Sequence, residues 1–402
     1  MAESLAVQDL PNIIDGIRLN TIAANIRRPG RNDLVLIELA EGSNVAALFT
    51  QNAFCAAPVQ IAKKHLQQSP PRYLLINSGN ANAGTGSAGI DAALACCSGV
   101  AETVQCKVSE ILPFSTGVIG EALPVDNIIM RLDELTSGLD AQHWQHAAEA
   151  IMTTDTVPKL FSAKINIAGQ VLNITGIAKG SGMIRPDMAT MLSYIATDAR
   201  INSSLLQTCL KCAVDRSFNR ITVDGDTSTN DSVVLMATGK STVEINASNL
   251  DSFQNILNEI CESLAKSIVR DGEGATKLIN VVVENGRDEK ECAKVAYAIA
   301  HSPLVKTAFF AGDPNWGRIL AAVGYAGVEN FEIDKVEIYL DDVCLVQQGG
   351  IAKSYSEEDG KRVMKKSEIT VRVNLQRGQT ATTVWTCDFS YDYVKINAEY
   401  RT

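Results

Sequence analysis

The sequence predicts an α/β fold with extensive mixed sheet. Apolar runs of strand length recur along the chain, among them Asp33-Leu-Val-Leu-Ile-Glu-Leu-Ala40, Tyr73-Leu-Leu-Ile and Leu278 to Glu284. Longer stretches with helical periodicity separate them, near residues 90–103, 140–152, 203–215 and 250–270. The composition, 46% hydrophobic and 20% charged over 402 residues, is that of a globular chain with room for two or three domain-sized units.

Taken in order, residues 16–60 read as strands and turns, and Ala46 to Phe54 reads as core packing. Tyr73 to Gly86 is a strand breaking into an Asn/Gly loop, followed by a helix from about Ile90 to Thr103. Such a loop can offer backbone N–H groups to an anion. It lacks the Gly-Lys-Ser/Thr ending of a phosphate-binding loop. Ile111-Leu-Pro-Phe-Ser-Thr-Gly-Val-Ile-Gly120 again places small residues after an apolar run. Thr116 and Gly117 are there either as a tight turn or as donors to a developing oxyanion. Asp140 to Met152 is an amphipathic helix, and Thr153-Thr-Asp-Thr156 can cap a turn. Residues 161–176 read as a hairpin around Ala168-Gly169.

Beyond residue 200, Ser203 to Asp215 is a helix and Leu250 to Arg270 a longer one. Asp224, Asp226 and Asp231 invite a calcium reading, which fails because the loop lacks Gly at the sixth and Glu at the twelfth position; a polar loop is expected instead. Asp271-Gly-Glu-Gly-Ala-Thr-Lys277 puts Glu273 on an exposed turn, where its carboxylate meets an α-amino group or only solvent. Ala311 to Leu320 is a turn capping a helix, residues 335–387 alternate in strand fashion, and the C-terminal residues read as a frayed tail. No internal repeat, low-complexity tract or interdomain linker is visible.

Several function classes are excluded. A net charge of −10 without a block of Lys or Arg speaks against nucleic acid or an anionic membrane surface as partner. No apolar run reaches the length of a membrane span, and the N-terminus lacks a secretory signal pattern, so a cytoplasmic location is expected. The ten Cys, including Cys96-Cys97 and Cys209-x-x-Cys212, read as small buried hydrophobes in a reducing cytosol. The four His (His65, His143, His146 and His301) sit in no metal-ligand pattern, so no metal is expected, and their scarcity counts against a Ser-His-Asp hydrolase.

The chain is organised around Lys179-Gly-Ser-Gly-Met-Ile-Arg-Pro-Asp-Met-Ala-Thr190-Met-Leu192. Gly180 and Gly182 free the backbone, Pro186 stiffens the loop, and an apolar strand follows from Met191. Thr190 therefore stands at a loop-to-strand junction behind the small Ala189. A threonine hydroxyl becomes a good nucleophile when a base adjoins it, and an N-terminal threonine carries that base as its own α-amine. The residues taken alone fit either such a self-generated terminus or a Gly-rich turn into a buried strand.

This stretch resembles the processing and nucleophile motif of the ornithine acetyltransferase family, the bifunctional glutamate N-acetyltransferases of arginine biosynthesis. The resemblance extends over nearly the whole chain through Phe49-Thr-x-Asn52, Asn77-Ser-Gly-Asn-Ala-Asn-Ala83, Ser115-Thr-Gly-Val-Ile-Gly120, Ser217 to Asp231, Asp271 to Lys277 and Asp313-Pro-Asn-Trp-Gly-Arg318. It implies a layered α-β-β-α sandwich, similar to that of other autoprocessed N-terminal-nucleophile-like enzymes. It implies autocleavage between Ala189 and Thr190 into an α chain, residues 1–189, and a β chain, residues 190–402, that stay together as an α2β2 heterotetramer. It implies Thr190 as the acetyl carrier and Thr116 with Gly117 as the oxyanion hole. Substrate-binding roles fall on Thr153 and Thr154 (with Thr156 beside them), Lys179, Thr190, Glu273, Asn397 and Thr402. The reaction implied is ping-pong transfer of acetyl from N2-acetylornithine to glutamate, with no metal and no cofactor. Some members of that family also take acetyl-CoA as co-substrate, and the sequence leaves open whether this chain does. The alternatives are an autoprocessed amidase or aminopeptidase of similar architecture, with water as acceptor, and a non-catalytic binding protein with an intact chain.

Overall fold

The computed structural model describes residues 11–167, 169–185 and 191–400. These form two compact units, the first of Met1–Gly180, Asp187–Asn219 and Asp226–Ile268, the second of Ser181–Pro186, Arg220–Gly225 and Val269–Thr402.

The first unit carries β1 (Ile17–Ile22), β2 (Leu34–Leu39), β3 (Asn44–Phe49), β4 (Tyr73–Asn80), β5 (Ile111–Val118), β6 (Lys159–Ile167), β7 (Gln170–Lys179), β8 (Leu192–Thr197) and β9 (Ser232–Ala237). One sheet runs β1-β2-β4-β5 and the other β3-β9-β8-β7-β6. The β2 run Leu-Val-Leu-Ile-Glu-Leu shows why its strands are nearly continuous in apolar residues. Val35, Ile37 and Leu39 face a core shared with Phe114 of β5 and with Tyr194 and Met236 of the other sheet. Leu34 and Leu36 face the opposite way, toward Cys96, Cys97 and Val100 of the helix Gly86–Val104. Side chains alternate between faces along a strand, so burial of both faces removes the polar half of the pattern. On the outer side of the second sheet, a Cβ at Gly176 would lie 3.1 Å from Leu264 of the helix Leu250–Arg270. The layers are therefore helix, sheet, sheet, helix, as the sequence reading expects.

The second unit carries β10 (Leu278–Gly286), β11 (Glu337–Leu340), β12 (Val343–Gln347), β13 (Gly350–Ile351), β14 (Glu368–Asn374) and β15 (Thr380–Cys387), in the sheet order β13-β12-β11-β14-β10-β15. Its core gathers Val281, Val283, Val371 and Val373 of the sheet with residues of the helices Glu289–Ala300, Pro303–Ala311 and Trp316–Gly324. Side chains close the N-termini of these helices: Asp288 accepts from Glu291 N, Ser302 from Val305 N and Asn315 from Arg318 N.

Three elements depart from the sequence reading. The helix expected over 140–152 is confined to Trp144–Ala150, because Asp140 exchanges both backbone hydrogen bonds with Leu19 and is committed to the edge of β1. The strand pattern of 335–387 is interrupted by a helix, Glu357–Met364, whose Ser356 side chain accepts from Asp359 N and whose first turn is acidic. The C-terminal residues form a helix, Tyr391–Ala398, where fraying was the default.

Candidate active site

The parallel pair β4–β5 sets Asn77 opposite Ser115, Ser78 opposite Thr116 and Gly79 opposite Gly117, with an irregularity at Asn80. Thr116 and Gly117 thus close a strand rather than make a tight turn. Polar side chains fix this end: Ser115 Oγ donates to Asn77 Oδ1 at 2.5 Å, and Asn230 Nδ2 donates to Ala81 O and Ser115 O at 2.7 and 2.9 Å. Gly117 has φ +135°, and a Cβ there would lie 2.2 Å from the Gly79 carbonyl carbon, so the close approach admits no side chain.

Beside this strand end lies a buried charge cluster. Lys179 closes β7 and is 3% exposed; its Nζ donates to Thr116 Oγ1 at 3.3 Å. Asp155 Oδ1 accepts from Lys159 Nζ at 2.6 Å and from Gly180 N at 2.7 Å, and Oδ2 accepts from Thr153 N at 3.0 Å. Burial alone would raise the Asp155 pKa; the ammonium groups of Lys179 and Lys159 and the Gly180 N–H overcome it and hold the carboxyl at about 2. Thr153 and Thr154 are half-buried in the turn that Asp155 holds.

Asp231 lies at the head of β9, not in a polar loop. It is 1% exposed, its Oδ1 accepts from Met191 N at 2.9 Å, and burial pushes its carboxyl well above the ordinary range. Of the other two acids in that segment, Asp226 is exposed and Asp224 belongs to the second unit.

In the second unit Glu273 is 7% exposed, against the sequence expectation of an exposed turn. Its N–H donates to Ser181 O at 2.8 Å, and its Oε2 accepts from Asn397 Nδ2 at 2.8 Å. A Cβ on Gly182 would meet the Glu273 carboxylate at 2.4 Å, so the glycine makes room for the acid. Asp388 holds the turn that carries Glu273, accepting from Thr276 N, Thr276 Oγ1 and Lys277 N at 2.5 to 2.9 Å. Asp224 clamps the loop that leads toward residue 190, accepting from Met183 N at 2.6 Å and Ile184 N at 2.9 Å, with Met183 at φ +57°.

The fold therefore brings Thr116, Gly117 and Lys179, with the turn of Thr153 and Thr154, to one end of the first unit, and Glu273 with Asn397 together in the second. Ala189, Thr190 and Thr402 lie outside the described residues. Residue types alone did not single out Asp155, Lys159 or Asp388, and they offered Asp224 and Asp231 only for a calcium reading that fails. The local signals of Asp155, Asp224 and Asp231, an acid in a Thr-rich turn or in an Asp-rich loop, are those of ordinary caps.

A model of the ArgJ family matches residues 18–402. The arginine biosynthesis bifunctional protein ArgJ of Methylococcus capsulatus is 56% identical over 392 residues, which are 97% of this chain and 96% of that protein. The protein of the same name from Psychrobacter arcticus is 53% identical over 402 residues, 99% of each chain. Among solved structures, the arginine biosynthesis bifunctional protein ArgJ of Bacillus halodurans is 42% identical with a TM-score of 0.50, covering 52% of this chain and 100% of that one.

Proposed function

The chain belongs to the ArgJ family, and we propose that it transfers acetyl from N2-acetylornithine to glutamate through an ester on Thr190. The chain would first cut itself between Ala189 and Thr190, by attack of the Thr190 hydroxyl on the preceding carbonyl and hydrolysis of the resulting ester. The freed α-amine then serves as base. It takes the hydroxyl proton as the Thr190 oxygen attacks the acetyl carbonyl of N2-acetylornithine; ornithine leaves and glutamate takes the acetyl group.

The observation that carries this reading is the contact of Lys179 with Thr116. An ammonium is donor only, so Thr116 Oγ1 accepts, and its own hydrogen is left for another acceptor. A hydroxyl so oriented, next to a buried cation and the backbone of Gly117, is an apt donor set for a developing oxyanion. Lys179 further suits a carboxylate or the acyl group, and Glu273 with Asn397 suits an α-amino group. Thr153, Thr154 and Thr402 are carried as substrate contacts. The Bacillus halodurans chain, matched over its full length by 52% of this one, supports a protein that exists as two pieces. The relatives' name is bifunctional, which favours acetyl-CoA as a second donor to glutamate. We assign no metal or bound cofactor a role, and we read the assembly as an α2β2 heterotetramer in the cytoplasm. No helix among the described residues is long and apolar enough to cross a membrane.

A denaturing mass spectrum with an exchange assay tests the proposal. Two masses split between Ala189 and Thr190, with ornithine released only when glutamate is supplied, are expected. An intact chain would refute the nucleophile assignment, and ornithine release in water alone would turn the reading to an amidase.

A further inference from the structure

The second unit buries a lysine that the proposed chemistry does not use. Lys306, on the helix Pro303–Ala311, is 1% exposed. Its Nζ donates to Thr386 Oγ1 at 2.9 Å and to Cys387 O, and lies 3.8 Å from Cys387 Sγ. It also stands 4.4 Å from the centre of the Phe389 ring. Thr386 passes its own hydroxyl hydrogen to Ala300 O at 3.3 Å. Burial pulls the Lys306 pKa down, against the pull of Cys387, Asp388 and Asp224 toward the charged form. An ammonium kept where an apolar side chain could fill the space calls for a reason.

That reason lies in what the end of β15 touches, all within the second unit. A Cβ on Gly272 would lie 3.1 Å from Cys387 Sγ. The next residue, Asp388, accepts from Thr276 N and Lys277 N. The Phe389 ring stacks on Tyr393 with centres 4.7 Å apart, and a Cβ on Gly274 would lie 2.6 Å from Tyr393 N. Asn397 Nδ2 donates both to Tyr393 O at 3.0 Å and to Glu273 Oε2 at 2.8 Å. Gly272 and Gly274 are the two neighbours of Glu273 in the chain. The ground on both sides of that carboxylate is therefore set by residues that pack on Lys306 or follow directly from those that do.

We infer that Lys306 is a positioning residue for the α-amino group of glutamate: by fixing the end of β15 and the Phe389 ring, it sets where Glu273 and Asn397 stand. This rests on the reading above of Glu273 and Asn397 as the α-amino site. The Lys306 ammonium is enclosed by protein, so it acts through those two residues.

Lys306→Met in the full chain, which keeps the length of the side chain and removes the charge, tests this in acetyl transfer from N2-acetylornithine to glutamate. KM for glutamate is expected to rise about tenfold, the equivalent of one charge-assisted hydrogen bond, with kcat at saturating glutamate close to the parent's. A structural role alone would lower the melting temperature or the active fraction, and with it kcat, and leave KM unmoved; that result overturns the inference. Combined with Asn397→Ala, the variant should bind glutamate about as Lys306→Met alone does, because one placement is not lost twice. Losses that multiply overturn the inference. Glu273→Gln separates this inference from the reading it rests on. If Glu273→Gln raises KM for glutamate and folded Lys306→Met does not, only the role of Lys306 falls. If Glu273→Gln keeps the parent's KM, the α-amino site is refuted and the role of Lys306 with it. Should Lys306→Met fail to fold, Phe389→Leu decides: removal of this half-buried ring should raise KM for glutamate in the same way, and the parent's KM in that variant overturns the inference.

Discussion

The two units hold their charged groups by different means. In the first, Lys179, Lys159 and Asp155 sit at strand ends and in the turn before them, buried, with one carboxylate set between two ammonium groups. In the second, Asp224 and Asp388 act as clamps on backbone N–H groups, and the loops they hold carry the residues of interest. Strand positions are held by two buried faces and tolerate little movement. Loop positions depend on a few charge-assisted hydrogen bonds and can be altered without loss of the core. Substitutions in the first unit should therefore cost stability along with activity, whereas those in the second should alter activity on a folded protein.

The largest expected effect lies at the junction itself. Thr190→Ala should leave a single uncut chain without acetyl transfer, and a cut, active variant would remove Thr190 from the chemistry. Next comes Asp155→Asn, which strips two buried lysines of their shared carboxylate. A loss of about 3–5 kcal/mol is expected in urea unfolding; a loss below 1 kcal/mol would mean that the cluster behaves like a surface pair. Thr116→Ala should lower kcat by about 10²-fold, and unaltered turnover would return Thr116 to a structural role.

Acid sensitivity sharpens the contrast further. The Asp155 carboxyl is held at about 2, below the ordinary carboxyl value of 3.8. A depressed carboxyl pKa stabilises the fold above the unfolded value, and that stability is lost as pH falls through the folded one. On the order of 2 kcal/mol should disappear between about pH 4 and pH 2. Parallel acid unfolding of Asp155→Asn should lack this component; identical curves would place the acid sensitivity elsewhere. The smallest effect is expected in the second unit. Asn397→Ala removes the donor to Glu273 Oε2, at a cost of about 1 kcal/mol. That corresponds to several-fold in kcat/KM for glutamate with an unchanged melting temperature. A shift in melting without a kinetic change would show that the helix Tyr391–Ala398 is held there only for packing.

Much of the architecture was legible from periodicity. The apolar runs that became β2, β4 and β10, and the helix Leu250–Arg270, follow from local pattern, since burial of a face selects residues at fixed spacing. The helix Glu357–Met364 escaped although Ser356 and Asp359 mark its start, because its 8 residues make little more than two turns, too few to show a helical period. The motifs around Ser115–Gly120, Lys179–Leu192 and Asp271–Lys277 could be located from residue order, and with them the candidates Thr116, Gly117, Lys179 and Glu273.

What each acid does was settled by long-range pairing. Asp224, Asp226 and Asp231 are near neighbours of one residue type. The first caps Met183 and Ile184, the second is exposed, and the third is buried under Met191 across a parallel strand pair. Likewise Asp155 finds Lys179 through the pairing of β6 with β7. Side-chain period is a property of the chain and can be read along it. Desolvation and the identity of a charge's partner depend on which strands lie side by side, and only the folded chain decides that.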